Sequence, residues 1–521
     1  MRITVVGFIC FLGFSLAIQY TPRTLRSHLN LDIDITTFPA YTANHFHNRV
    51  DHYNESDTRD FPQRYWVNSR HYDGAPNPPI FLLEAGETDG VARLDALDRG
   101  IVNHLAQATN GIAIVLEHRY YGDSLPFKIF TQETLRYLTY NQSLEDSVKF
   151  ARDFHTLYHP HSASLNTAQL NHSRWIVYGG SYAGARAAHL RTLHPDVFFG
   201  GIGSSAVVHA EDDYWRYFDM IRLHQDGGCV NALSQAVQLI DAVLDLPLAL
   251  PKHALKRLFG LSGLSDEDFV DTITYPLAFV QGENWDEEVS AHEFQSFCNA
   301  TAGDGLVKRL LTFTPNFTLI PTCPPSASLP LGHAAYALVQ YARWIDKHVA
   351  TQLRAAQVRD RDATNANASA PSSMRAWGYQ VCTQWGYFQG APPVTAREAY
   401  AHRLVSKRLT LEQTSSYCLR DYNITHRPHI EEVNSLGDFQ THAHRLAFID
   451  GSADPWREAT AHSSRAGDRL DSIGEPSIVI PKGTHHWDEN GWLDRTQEPP
   501  LIRNVHDYAV SFVSSWLEER V

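Results

Sequence analysis

No surplus of positive charge marks this sequence: 44 Lys and Arg stand against 58 Asp and Glu, a formal net charge of −14. That excludes a nucleic-acid binder, since no cationic excess exists to displace phosphate counterions, and it leaves no basic patch for an anionic membrane surface. After the N-terminus no apolar run approaches the ~20 residues that a bilayer core requires, so no membrane span is expected. Cysteine is scarce, six in 521 residues, and none sits in a Cys-X-X-Cys pair or a Cys/His ligand spacing; no structural zinc, other metal or cofactor is expected. Internal repeats are also absent. What remains is a composition of 43% hydrophobic and 20% charged residues, that of a folded globular chain. It is long enough for a large domain with a substantial insertion, or for two domains.

The one N-terminal apolar run, Val5 to Leu16, follows Arg2 and ends in Ser15-Leu16-Ala17, small residues at the positions a signal peptidase reads. Residues 1–17 are therefore expected to be a signal peptide. Secretion predicts glycosylation, and seven Asn-X-Ser/Thr acceptors are spread along the chain: Asn54, Asn141, Asn171, Asn299, Asn316, Asn367 and Asn423. The expected destination is extracellular, with a lysosome or vacuole as the alternative. Loss of Cys10 with the signal leaves Cys229, Cys298, Cys323, Cys382 and Cys418, an odd number, so one thiol is unpaired or bonds another chain.

Short runs rich in Ile, Val, Leu and Phe at Pro79–Glu84, Ile112–Glu117 and Trp175–Tyr178 predict buried parallel strands, each followed by turn residues. Two more, Leu446–Ile449 and Ser477–Ile480, occur only near the C-terminus. Helical segments at Leu144–Tyr158 and Ala183–Leu193 alternate with the strands, as in a doubly wound sheet. The region 207–435 reads as helix-rich, with the stripe Ala334, Leu338, Tyr341, Ile345 and Val349 and all five mature cysteines. It is expected to be a cap inserted between two parts of an α/β-hydrolase domain, 18–206 and 436–521. Within it, 363–373 is a polar surface loop.

The run Trp175-Ile-Val-Tyr-Gly-Gly-Ser-Tyr-Ala-Gly184 carries a strand into small residues, a serine and an Ala-rich helix, the pattern of a nucleophile elbow. A hydroxyl needs a base to become nucleophilic, and the base needs an orienting carboxylate. In this topology they follow in the order Ser, Asp, His, each beyond a later strand. Asp454 lies past the strand ending at Ile449, and His485 lies past the one ending at Ile480, so Ser181, Asp454 and His485 are the expected triad, with His486 as the alternative base. The oxyanion donors are expected at the Tyr182 amide and in the loop after the first strand, around Gly86 or Glu87.

These residues belong to a wider set of motifs: Asp51-His-Tyr53, Phe61-Pro-Gln-Arg-Tyr65, Gly86-Glu87, Glu117-His-Arg-Tyr-Tyr-Gly122, Gly179-Gly-Ser-Tyr182, Gly203-Ser-Ser-Ala206, Trp385-Gly-Tyr-Phe-Gln389, Asp454-Pro-Trp456 and His485-His486. In this order they resemble the serine peptidases that include lysosomal Pro-X carboxypeptidase, dipeptidyl-peptidase II, the thymus-specific serine protease and fungal prolyl endopeptidases. The resemblance covers the chain from about Phe46 onward. It implies an α/β-hydrolase fold with a helical, disulfide-bearing cap, the triad named above, and disulfides Cys229–Cys298 and Cys382–Cys418 that leave Cys323 over. Three departures stand out: Gln384 where relatives often carry glutamate, Trp487-Asp-Glu489 after the histidine pair in place of Leu-Asp-Leu, and Asp450 in place of asparagine.

The resemblance also implies a peptide or protein substrate cut beside proline, whose ring fixes φ and removes an N–H, so that an apolar slot must select it. Trp456, Trp385 and Tyr387 are the expected walls of that slot. Free C-terminal residues, N-terminal dipeptides and internal fragments all remain open as products, and a homodimer is compatible with the reading. An imidazole base is mostly protonated below about pH 6.5, which predicts falling activity in acid. The rival readings are an esterase or lipase on the same fold, and a non-catalytic binding glycoprotein.

Overall fold

A computed structural model describes residues 41–157, 170, 172–302, 331–353 and 371–519. The expected signal peptide, Cys10, Cys323, the acceptors Asn171, Asn316 and Asn367, and residues 363–370 of the polar loop lie outside them. The acceptors Asn54, Asn141, Asn299 and Asn423 are all exposed.

Ten strands are described: β1 (Asn44–Arg49), β2 (Asp60–Asn68), β3 (Ile80–Glu84), β4 (Ile112–Leu116), β5 (Trp175–Gly180), β6 (Phe198–Ser204), β7 (Glu211–Asp213), β8 (Gly386–Phe388), β9 (Leu446–Gly451) and β10 (Ser477–Ile480). Eight form one sheet in the order β1-β2-β4-β3-β5-β6-β9-β10. The pairs β1 with β2 and β2 with β4 are antiparallel, and every other pair in the sheet is parallel. An antiparallel edge leading into a parallel run, with the strand order reversed at β4 and β3, is the α/β-hydrolase arrangement.

Strands β3, β4 and β5 are buried at every position, because helices cover both faces of the sheet. Alternation along the strands divides the core. Phe81, Leu83, Val115, Ile176, Tyr178 and Ile449 face α1 (Ile101–Thr109) and the C-terminal helix Pro500–Glu518. Leu82, Ile114 and Val177 face the other way, toward α2 (Tyr140–Leu157) and α3 (Tyr182–Leu193).

The five runs read from sequence are all strands of this sheet, which has three more. The added strands are β1 at one edge, β2 beside it, and β6 between β5 and β9. Strand β6, Phe-Phe-Gly-Gly-Ile-Gly-Ser, has too little β-branched or aromatic character to stand out. Its glycines are there because neighbours press on it: a Cβ on Gly200 would lie 3.1 Å from the Trp516 ring.

The chain leaves the sheet at Ser204 and returns at Leu446, and the intervening segment is mostly helical. Among its helices, α4 (Gly227–Leu244), α5 (Glu293–Ala302) and α6 (Leu331–Ile345) pack together. Ala334, Tyr341 and Ile345 are buried along α6, and so is Val349 just beyond it. Cys229 of α4 is bonded to Cys298 of α5. Helix α7 (Ser373–Gln380) runs on through a wider turn, Val381–Trp385, and Cys382 in that turn is bonded to Cys418 of α8 (Leu411–Tyr422). Strands β7 and β8 pair in parallel within this segment. The C-terminal helix, α9 (Pro500–Glu518), starts with proline, whose missing N–H costs nothing there. It buries Ile502, Val505, Ala509, Phe512 and Trp516 as one stripe.

Candidate active site

Four loops converge at the C-terminal edge of the parallel strands, where open α/β sheets present their sites. They follow β3, β5, β9 and β10. The serine comes from the sharpest of these turns. Ser181 has φ 61° and ψ −125°, a backbone conformation that costs a non-glycine residue energy and persists only when its surroundings impose it. The amide of Ser181 donates to Ser204 O at 2.9 Å, and its carbonyl accepts from Ala185 at 3.1 Å. Bulk beside it is excluded: a Cβ on Gly179 would lie 2.0 Å from the Ala183 carbonyl oxygen.

Helix α3 behind Ser181 is buried on almost every side. Its fully buried Arg186 forms a salt bridge with Glu84 at 2.6 Å, with further bonds to Ser143 and Ser147. A buried charge is tolerated when it is paired and hydrogen-bonded in this way.

The loops after β9 and β10 are fastened to each other. Ser452 N donates to Ile480 O at 2.9 Å and Ala453 N donates to Gly483 O at 2.8 Å. This brings the carboxylate of Asp454, fully buried, within 2.8 Å of His485 Nδ1 through its Oδ2. The other oxygen accepts the Trp456 amide at 2.8 Å. Burial alone would raise the Asp454 carboxyl, but the His485 imidazole, the Trp456 N–H and the Ser205 hydroxyl outweigh it and hold the group below the ordinary aspartate range.

His486 turns away from this pair. Its amide donates to Ser205 Oγ at 2.9 Å, and its Nδ1 lies 3.2 Å from Glu489. Of the two histidines, His485 is the one bonded to Asp454.

Gly86 and Glu87 follow β3 and overlie the start of α3: a Cβ on Gly86 would be 3.2 Å from Ala183 Cβ. Tyr182 begins the helix, with its side chain held by Gln380 and His118 at 2.9 Å each, so its backbone is fixed from both sides. Glu87 has a buried carboxyl oxygen without a hydrogen-bond partner. Its pKa is raised, chiefly by burial, against the pull of Arg93 and His485.

The three aromatic candidates divide. Trp456 stacks on Tyr214 with ring centroids 5.1 Å apart, and its ring centre lies 6.4 Å from that of His485. Tyr387 meets Trp456 edge-on at 5.1 Å and ties its hydroxyl to His209 O at 2.8 Å. Trp385 is fully buried against Tyr140 and Tyr182, a layer removed from the histidine.

Sequence reasoning missed Gln281, whose Oε1 accepts both the Trp456 indole N–H and the Tyr217 hydroxyl at 2.9 Å. It also missed the buried chain Arg93–Glu489–His486, with Arg93 Nη1 2.7 Å from Glu489. Gln281, Arg93 and both histidines line a cavity of about 50 Å³ beside His485.

The departures noted in the sequence have local partners. Gln384 accepts the Tyr140 amide at 2.9 Å while donating to Glu432 at 2.8 Å, which a carboxylate could not do. Asp450 holds His462 Nδ1 at 2.6 Å.

Comparison with known proteins identifies the family. Residues 48–508 match the family model described as serine carboxypeptidase S28. A "Probable extracellular serine carboxypeptidase" of Arthroderma benhamiae is 34% identical over 93% of this chain and 68% of its own length. The thymus-specific serine protease of Mus musculus is 26% identical over 90% of this chain and 86% of its own. Among solved structures, a thermostable esterase from Pseudomonas putida aligns over 97% of this chain and 92% of its own at 11% identity, with a TM-score of 0.34. By the match that spans nearly all of its described sheet and helices, the chain belongs to the serine carboxypeptidase S28 family and is a serine peptidase.

Proposed function

We propose that the protein is secreted and removes residues that follow proline at the C-terminus of peptides, using Ser181, His485 and Asp454. The observation that carries the reading is the 2.8 Å bond between His485 Nδ1 and Asp454 Oδ2, in loops that share a sheet edge with the strained turn at Ser181. Ser181 Oγ attacks the scissile carbonyl carbon and its proton passes to His485 Nε2, while Asp454 fixes the tautomer and stabilises the imidazolium. The oxyanion that forms takes hydrogen bonds from the Tyr182 amide and from a backbone donor at Gly86 or Glu87. The C–N bond then breaks as His485 returns the proton to the leaving amine. Water, deprotonated by the same imidazole, cleaves the acyl-enzyme and restores the serine.

The names of relatives favour amide over simple ester substrates and support the extracellular and carboxypeptidase assignments. Proline specificity draws its support from the resemblance to prolyl peptidases and from a buried aromatic cluster, Trp456, Tyr387 and Tyr214, whose Trp456 ring lies 6.4 Å from that of His485. The four exposed Asn acceptors fit a glycoprotein. A peptide-library digest read by mass spectrometry tests the proposal: single residues released after proline from free C-termini are expected. Internal cuts, release of N-terminal dipeptides, or cleavage without regard to proline would overturn the corresponding part.

A further inference from the structure

Behind the His485 loop, on the opposite side of the sheet edge from α3, three side chains from distant parts of the chain meet in the interior. His104 lies on α1, His506 on α9, and Glu498 in the segment that leads into α9; none is more than 2% exposed. Their donor atoms all fall within 4.8 Å of one another, and the two imidazole centres are 5.1 Å apart.

One member of this cluster, His104, is left without hydrogen bonds. His506 Nε2 is 3.0 Å from the Asp488 carbonyl oxygen, which can only accept, so that nitrogen carries the proton. His506 Nδ1 is hydrogen-bonded to Glu498 Oε2 at 3.0 Å, and Glu498 Oε1 also accepts the Trp492 amide at 3.0 Å. His104 has no hydrogen-bond partner at either ring nitrogen; its Nε2 stands 3.3 Å from Glu498 Oε1 without the alignment of a bond. Buried polar atoms left in this state are costly and uncommon. Arg495 does not answer them. Its Nε stays 3.9 Å from Glu498 Oε2, and its Nη2 is engaged with Asp507.

We propose that His104, Glu498 and His506 bind a divalent transition ion of the zinc type, as a structural site distinct from the peptidase centre. Two imidazole nitrogens and a carboxylate are a zinc ligand set, and bonds of about 2.0–2.1 Å to a tetrahedral ion place neighbouring donors roughly 3.3 Å apart, close to the two nitrogen–oxygen separations here. The bond from His506 Nε2 to a backbone carbonyl is the outer support that metal-bound histidines use to fix the ring and tautomer. Gly491 leaves the edge of His104 clear: a Cβ there would lie 2.3 Å from Nε2. The ligands come from positions 104, 498 and 506, so no local spacing in the sequence announces them. The ion clamps α1 and α9 to the stretch that follows His485, whose Asp488 carbonyl contacts His506 and whose Glu489 carbonyl accepts the Ile101 amide at 3.1 Å.

The test uses the full chain purified from a secreting host. Elemental analysis after extensive dialysis is expected to find about one zinc per chain. Chain stripped with a chelator and titrated with Zn²⁺ alone is expected to gain several degrees in its unfolding midpoint. The His104→Gln and Glu498→Gln variants are expected to hold less than about a tenth of an equivalent. A wild-type chain without stoichiometric metal whose stripped form is not stabilised by Zn²⁺ overturns the proposal, and so does full retention of zinc in both variants. Should the variants not fold, the wild-type titration decides by itself.

Discussion

The imidazole of His485 and the carboxylate of Asp454, 31 positions apart in the chain, meet through Nδ1 and Oδ2 at 2.8 Å in a site where Asp454 has no contact with solvent. An amide at position 454 keeps the shape but offers an N–H or a weaker acceptor, which favours the wrong tautomer of His485. Asp454→Asn is expected to lower kcat about 10⁴-fold with little change in KM, measured on a prolyl peptide. In the same preparation, labelling of Ser181 by a fluorophosphonate should be slowed, and it should be abolished in Ser181→Ala.

Trp456 sets its ring beside His485 and gives its N–H to Gln281. Replacing it with phenylalanine keeps an aromatic face but shortens the wall and leaves Gln281 with one donor fewer. For Trp456→Phe, kcat/KM on peptides with proline before the cut is expected to fall about tenfold more than on matched alanine peptides, a difference of about 1.4 kcal/mol. Equal losses on both would assign Trp456 to packing alone.

Glu489 joins Arg93 and His486 in a buried chain. Burial would raise its carboxyl, but Arg93 and His486 outweigh that and hold it at about 2. Glu489→Gln leaves the Arg93 guanidinium without its counter-charge and is expected to destabilise the fold by about 3 kcal/mol or more. A carboxyl lowered in the folded state contributes stability that is complete above its ordinary value and disappears as pH falls toward 2. The gap between wild type and variant, read by denaturant unfolding, should therefore narrow from pH ~5 downward.

Asp488 titrates the other way. Burial pushes its carboxyl up to about 6, against the bonds it accepts from Ser204 and Tyr178. The folded chain then binds more protons than the unfolded one between the ordinary aspartate value and 6, so this group lowers stability as pH rises through that window. Asp488→Asn removes the slope. Relative to wild type, the variant is expected to gain up to roughly 3 kcal/mol between pH ~4 and ~7, visible as a divergence of unfolding midpoints.

The parallel strands and the turn at Ser181 were legible because a strand buried on both faces must be apolar throughout, and because the elbow needs residues without bulk at Gly179 and Gly180. The positions of Asp454 and His485 followed from their place just past two apolar strands, the buried β9 and the edge strand β10. Gln281 left no trace, since a glutamine in the apolar stretch Tyr275–Gly282 gives no sign that two aromatic donors will find it. Arg93 and Glu489 lie 396 positions apart, and a contact at that separation comes from topology, not from any pattern along the chain. Strand β6 was hidden because its residues are chosen by what packs on them.

The backbone bonds that join the Asp454 loop to the His485 loop have an evolutionary consequence. Asp454 and His485, the proposed acid and base, ride on one fastened pair of loops, and neither is carried by the long helical insertion between Ser204 and Leu446. The insertion can therefore change in length or surface without moving these two side chains relative to each other.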